Sequence, residues 1–437
     1  MKTLIKNTIL FGIMLMLLVT VGIFQSWNVA LAILNLCLIS AIMTMGVNIQ
    51  WGYAGLFNAG VMGFTALGGI AAVVISIPPV QSAWLAGGSR AMLGLLIGVI
   101  SIFLVVVVWK KTAKLGRIRY WLTALMVIGG YALMRMVIDP AIEAIEAIEP
   151  AKTGFLGGFG LPIIFSWIVG GAFAASVAWV VGRVSLGLRS DYLAIATLGI
   201  SEIIIYFLKY EEWLTRGVKN VNGIPRPVPY EIDLQKTLWL QEWAERFEMP
   251  VIELSSIIVK ISYASLFITV LLVIFYLSET ALKSPWGRMM RAIRDNETAA
   301  NAMGKNVTWR HLQVFVLGSA VVGMAGAMLT TLDGQFPPAS YQPMRFTFLV
   351  WVMVIVGGSG NNLGSVLGGF VIWFFWIEAE PIGLALMNFI TSGMSQENPL
   401  RIHLLENAAH MRLMTMGLVL LLTLRFAPKG LIPEVKR

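Results

Sequence analysis

The chain has 437 residues, 57% of them hydrophobic and only 13% charged, with a mean hydropathy of +0.79. Such values exclude an ordinary soluble domain, and several apolar runs of about 17 to 22 residues have the length that a bilayer-spanning helix needs. The net charge of +9 reads as a basic excess in cytoplasmic loops, not as a nucleic-acid surface, and the single cysteine, Cys37, excludes an intramolecular disulfide and a cysteine-built metal site.

The opening MKTLIKN leads into apolar residues with no small-residue cleavage site, so it reads as the start of a first membrane helix. Apolar runs between polar breaks predict ten spans: Thr8–Phe24, Val29–Ile49, Leu56–Ile77, Ala91–Trp109, Trp121–Ile138, Ile163–Val181, Tyr192–Leu208, Ser256–Leu277, His311–Leu332 and Met411–Phe426. A broken pair, Phe346–Val356 and Gly364–Ile377, lies before the last of them. Each half is short, and the connector GGSGNNLG is flexible, which leaves a re-entrant hairpin and two tilted crossings both open. The expected fold is therefore an all-α polytopic membrane protein of 10–12 spans, a single transmembrane unit over residues 1–437.

With the N-terminus inside, the cytoplasmic segments hold about 19 of the 32 Lys+Arg but about 5 of the 23 Asp+Glu. That asymmetry predicts cytoplasmic termini. Inside lies KKTAKLGRIR (110–119), read as a positive-inside stop signal, with a lipid-headgroup patch or a partner contact as the alternatives. Outside lies PAIEAIEAIEP (140–150), whose glutamates and isoleucines recur every three residues and predict a short amphipathic surface helix. A long outer loop, 209–255, combines alternating prolines, Pro225, Pro227 and Pro229, which forbid a helix, with TLWLQEWAERFE, which favours one at the interface. The loop is either a docking surface or a connection.

The most strongly punctuated polar stretch is the inner loop 278–310. Ser284 followed by Pro285 is a helix start, and Arg288, Arg291 and Arg294 then fall on one face. Asp295 is the expected cap of a second helix, Asn296–Met303, which stops at Gly304. The arginine face is expected against lipid headgroups, the second helix against a partner.

Intramembrane polar groups are the candidates for a solute path, because burying one without a partner or water is costly. Glu202 lies about 16 Å into its helix and either lines the path, takes a proton, or pairs with Arg135 or Lys260. Thr197 and Ser201 share its helix, while Asn48 and Asn58 flank a glycine-crowded stretch, Gly46 to Gly69, suited to close helix packing or to an unwound, solute-facing backbone. Gly318, Gly323 and Gly326 read as packing residues. No GxxxxGK[ST] phosphate loop and no hydrolytic constellation occur, and His311, His403 and His410 lack metal-ligand spacing, so the chain is expected to bind no cofactor.

The segment SPWGRMMRAIRDNETAANAMGKNVTWRHLQVFVLGSAVVGMAGAML resembles the signature region of the M-type permease of branched-chain amino acid ABC transporters, commonly SPxGRAxxAIRExExAAxxLGxxxxxxKxxAFxxSAxxAGxAGAL. LRSDYLAIATLGISEII, VIVGGSGNNLGSVLGG and LRFAPKGLIP are similar to three further family stretches in the right order, and NIQWGYAGLFNAG is a looser match. The resemblance implies a type II-like importer permease in the bacterial inner membrane. It also implies a second permease subunit, two cytoplasmic ATP-binding subunits that carry ATP and Mg, and a periplasmic substrate-binding protein. The loop 278–310 becomes the coupling loop, with Arg291, Ala292, Arg294, Asp295, Glu297, Ala299, Ala300 and Gly304 on the ATPase. Val61 or Met62 stands where the family has a histidine, and TRGVKNVNGI replaces TGGPNGI. Urea or short-chain amides therefore remain an alternative solute, and a stand-alone channel or ion-coupled carrier the alternative of another class.

Overall fold

The computed structural model describes residues 2–114, 116–149 and 153–434; Leu115, Pro150 and residues 435–437 of the basic, acidic and terminal segments discussed above lie outside them. Among the described residues, ten helices are long and apolar enough to cross a membrane, as ten spans were expected, but they are not quite the same ten. They form a multi-pass bundle.

Helices α1 (Lys2–Phe24) and α2 (Trp27–Ala54) are separated by a tight turn in which the Ser26 side chain accepts from the Val29 amide at 3.2 Å. The predicted span Leu56–Ile77 is instead a short helix, α3 (Val61–Ser76), because Gly55 takes a left-handed φ of +69° and ends α2, leaving 55–60 non-helical. Next come α4 (Ser89–Lys111), entered through a π-helical turn at Trp84–Gly88, and α5 (Ile118–Glu146). The acidic repeat does not form a separate surface helix. α5 runs through Pro140 to Glu146, with Ala141 and Ile145 buried and the Glu146 carboxylate accepting from the Trp213 amide at 3.2 Å.

After α6 (Ile164–Ser185) and α7 (Ser190–Tyr210), the outer loop carries a strand, Val221–Asn222, paired antiparallel with Gln335–Phe336. A short helix, Leu238–Arg246, covers the expected amphipathic segment, with Leu240 and Ala244 buried and Trp239 and Trp243 exposed. The 33-residue α8 (Val251–Lys283) returns the chain to the polar loop, where α9 (Pro285–Asp295) and α10 (Glu297–Ala302) precede α11 (Val307–Asp333).

The broken pair resolves unequally. Its first half is a 15-residue helix, α12 (Pro343–Gly357), about 22 Å long. Its second half continues through Pro381 as the 29-residue α13 (Asn362–Ile390). There follow α14 (Pro399–Glu406), α15 (Met411–Phe426) and a tail described as far as Glu434.

Glycines decide the core. α11 packs against α2, α3 and α6. A Cβ on Gly68 of α3 would sit 1.7 Å from the Gly323 carbonyl oxygen, and one on Gly46 of α2 would sit 2.7 Å from that of Gly318. Small residues bring the backbones together where lipid provides no hydrophobic drive. Within the glycine stretch, Gly46 and Gly68 serve helix packing, while the backbone over 55–60 is non-helical.

Candidate functional site

On the side of the α2 C-terminus and the α8–α11 loop, two short helices form a platform. Ser284 caps α9 as expected, accepting from the Gly287 amide at 3.4 Å. The cap of α10 is Asn296, not Asp295: its Oδ1 accepts from the Ala299 amide at 2.9 Å, and Asp295 is the last residue of α9. The amide side chain sits one residue nearer the helix, where it reaches an orphan N–H. Gly304 closes the unit with φ +73°. No residue of α10 is buried, and Ala292, Asp295, Glu297 and Ala299 are exposed, so the platform presents small residues beside two carboxylates.

Each of the three arginines is also engaged within the chain. Arg288 donates to the Lys283 carbonyl at 3.1 Å and Arg291 to that of Leu282 at 3.3 Å, both at the end of α8. Arg294 donates to the Gly52 carbonyl of α2 and pairs with Glu434 of the tail at 3.0 Å. Arg294 also pairs with the neighbouring Asp295 at 3.2 Å, so the arginines' charge goes to orphan helix-end carbonyls and two acids.

A buried polar network lies behind the platform. Asn48 Oδ1 accepts from the Gly360 amide at 2.8 Å, Asn48 Nδ2 donates to Asn362 at 3.3 Å, and Asn362 Nδ2 donates to Glu279 at 2.9 Å. The Tyr53 hydroxyl donates to the same Asn362 oxygen. Asn58 donates to Gln50 at 2.9 Å, and Gln50 in turn donates to the Phe315 carbonyl and the Ser319 hydroxyl. Thr197 Oγ1 accepts from the Ala59 amide at 3.0 Å, while Ser201 abuts Gly63. Asn58 and Thr197 thus meet at the non-helical segment 55–60, Ser201 lies against α3 and Asn48 against the α12–α13 turn, and none of the four lines either cavity described next.

Two cavities, each of about 310 Å³, share Tyr341. The first is walled by Ile39, Met43, Met62, Leu349, Met353 and Trp373, with Ser40, Thr65, Asp333 and Ser340 among its polar residues. Burial pushes the Tyr341 phenol's pKa up, so it stays protonated, and its oxygen lies 3.2 Å from that of Thr330. The second cavity is mixed in character, lined by the polar Glu202, Lys209, Gln342 and Arg345 together with Ile205, Pro343 and Met344 among others. Glu202 pairs with neither expected cation: Arg135 holds Asp139 at 2.9 Å, and Lys260 donates to Asn28 at 3.0 Å.

Residues 121–424 match the family model described as branched-chain amino acid transport system / permease component. The chain belongs to that permease family. A probable branched-chain amino acid transport permease protein LivM of Methanocaldococcus jannaschii is 25% identical to the permease over 280 residues, 60% of this chain and 66% of that protein. The high-affinity branched-chain amino acid transport system permease protein LivM of Escherichia coli is 26% identical over 206 residues, 47% and 48% of the two chains. A fructose import permease protein, FrcC of Rhizobium meliloti, is 27% identical over 109 residues, 24% of this chain and 29% of that protein. The permease thus spans about half to two thirds of the length of the two LivM proteins. No solved structure matches it.

Sequence reasoning missed two acids of this permease. Glu378 is buried in α13, accepting from Gln25 of the α1–α2 turn at 2.7 Å; the expected span stopped one residue short of it. Asp333 escaped notice because it ends α11, where a left-handed Gly334 stops the helix.

Proposed function

We propose that the chain is the membrane subunit of an ABC importer for branched-chain or related hydrophobic amino acids, driven by ATP hydrolysis on separate cytoplasmic subunits. A second permease subunit, two ATP-binding subunits and an external substrate-binding protein complete the assembly. Family membership is the observation that carries this reading. The exposed α10 platform supports it, because a capped helix with small side chains suits insertion into a partner's cleft, with Glu297 and Asp295 setting the register. The apolar walls of the first cavity favour a hydrophobic solute over urea, which offers little apolar surface to bury.

Vesicles carrying the assembled complex are expected to accumulate leucine only with ATP and the binding protein, and excess unlabelled urea is expected not to compete. Competition by urea would move the assignment to short amides. Conduction by the purified chain alone in liposomes would favour a channel or carrier.

A further inference from the structure

The tail after α15 turns back under the bundle and joins a joint that has no reason to exist if the loop helices only face outward. The Leu431 amide donates to the Val356 carbonyl at 2.9 Å and the Ile432 amide to that of Gly357 at 2.9 Å, so the tail satisfies the orphan carbonyls at the end of α12. Asn361 Nδ2 donates to the Pro433 carbonyl at 3.1 Å, tying the same tail to the start of α13. One residue on, Glu434 Oε2 lies 3.0 Å from Arg294 Nη1. The same guanidinium donates to the Gly52 carbonyl, three residues before α2 stops at Gly55. It also leans on Gly360, where an added Cβ would lie 2.8 Å from the Glu434 carboxylate and 3.3 Å from Arg294.

We propose that Arg294 is a mechanical tie, not an ATPase contact: with Glu434 it fastens the α9–α10 platform to the end of α2 and to the α12–α13 turn. This rests on the importer reading above, and it names the residues through which a push on the platform reaches the transmembrane helices. Arg294 is only 22% exposed along its side chain, and both ends of its guanidinium fork are already engaged within the chain. The exposed members of the loop, Glu297 and Ala299, are left to meet the partner. The joined elements matter because α2 contributes Ile39, Ser40 and Met43 to the first cavity and α12 contributes Leu349, Val350 and Met353. A rigid link that grips both helices at one end acts on both walls together. A lysine cannot reproduce it, since one ammonium lacks the planar fork that engages a carbonyl and a carboxylate at once.

The test compares Arg294→Gln, Arg294→Lys and Glu434→Gln, with amide exchange at Leu431 and Ile432 measured on the purified chain and leucine uptake per ATP measured on the assembled complex. Arg294→Gln and Glu434→Gln are expected to speed exchange at both amides at least fivefold and to lower uptake per ATP at least fivefold, with the ATP-binding subunits still co-purifying. Arg294→Lys is expected to recover part of both. The proposal is overturned if Arg294→Gln releases the ATP-binding subunits while Glu434→Gln changes nothing, or if exchange at both amides stays at the wild-type rate. Wild-type complexes that fail to take up leucine would sink the importer reading instead, and the exchange measurement, which needs no transport, would still decide the tie.

Discussion

At Gly68 the backbone of α3 crosses α11 so closely that even a methyl group has no room, the Gly323 carbonyl lying 1.7 Å from the position a Cβ would take. Gly68→Ala must push two helices apart, and overpacking of this kind costs about 1–3 kcal/mol. The variant should therefore melt at a lower temperature in detergent. Gly12→Ala provides the control: nothing lies within 4 Å of that site, and alanine is the better helix former by about 1 kcal/mol, so no loss is expected there. Equal melting of both variants would contradict the crossing. The same scale explains Glu378, which is 2% exposed and holds one strong contact, the 2.7 Å bond from Gln25, 353 residues away in the chain. A buried acid with such a partner cannot be recognised from its neighbours in sequence.

The element that stands most alone is α10. Six residues are far too few for a helix to persist by propensity, and this one buries none of them, so its geometry depends on its ends. Asn296 supplies the N-terminal cap and Gly304 the left-handed exit. Asn296→Ala is expected to cost about 1 kcal/mol of local helix stability and to weaken capture of the ATP-binding subunits about fivefold. The melting temperature of the isolated chain should not move, because no core packing is lost. Asn296→Asp, which keeps the cap, should retain capture; pull-down with the partner subunits measures both. The two short helices α3 and α12 make a complementary point about elements. At 16 and 15 residues they are shorter than a bilayer requires; α3 is nearly enclosed by longer neighbours, whereas α12 is covered on one face and leaves Met344, Phe348 and Ile355 exposed on the other.

For the whole molecule, the charge asymmetry between loops predicts that α9 and α10 lie in the cytoplasm and the helix Leu238–Arg246 outside. Cysteine labelling checks it directly. Cys37 is fully buried, so the natural chain should be inert to a membrane-impermeant maleimide. Gln241→Cys is expected to react in intact cells and Thr298→Cys only after permeabilisation; both residues are exposed in the fold. Reaction of both from one side would overturn the orientation. On this frame α4 and α5 pack chiefly on each other and form a hairpin at the rim of the bundle, whereas α2, α3, α11, α12 and α13 line the first cavity and α2, α8, α11 and α13 contribute to the buried polar network.

The sequence by itself determined the membrane class, most of the spans, the two-helix loop and its Ser284 and Gly304 ends. These depend on contiguous residues: the transfer of an apolar run out of water, or a side chain reaching an amide three positions ahead. Even there the limit showed, since two adjacent polar residues competed for one cap and Asn296 prevailed over Asp295. Only the tertiary structure decided which distant polar groups satisfy one another: Arg294 with Glu434, Asn48 with Asn362, and Glu378 with Gln25. Those pairings follow from how closely the helices approach, and glycine contacts such as Gly68 on Gly323 set that distance.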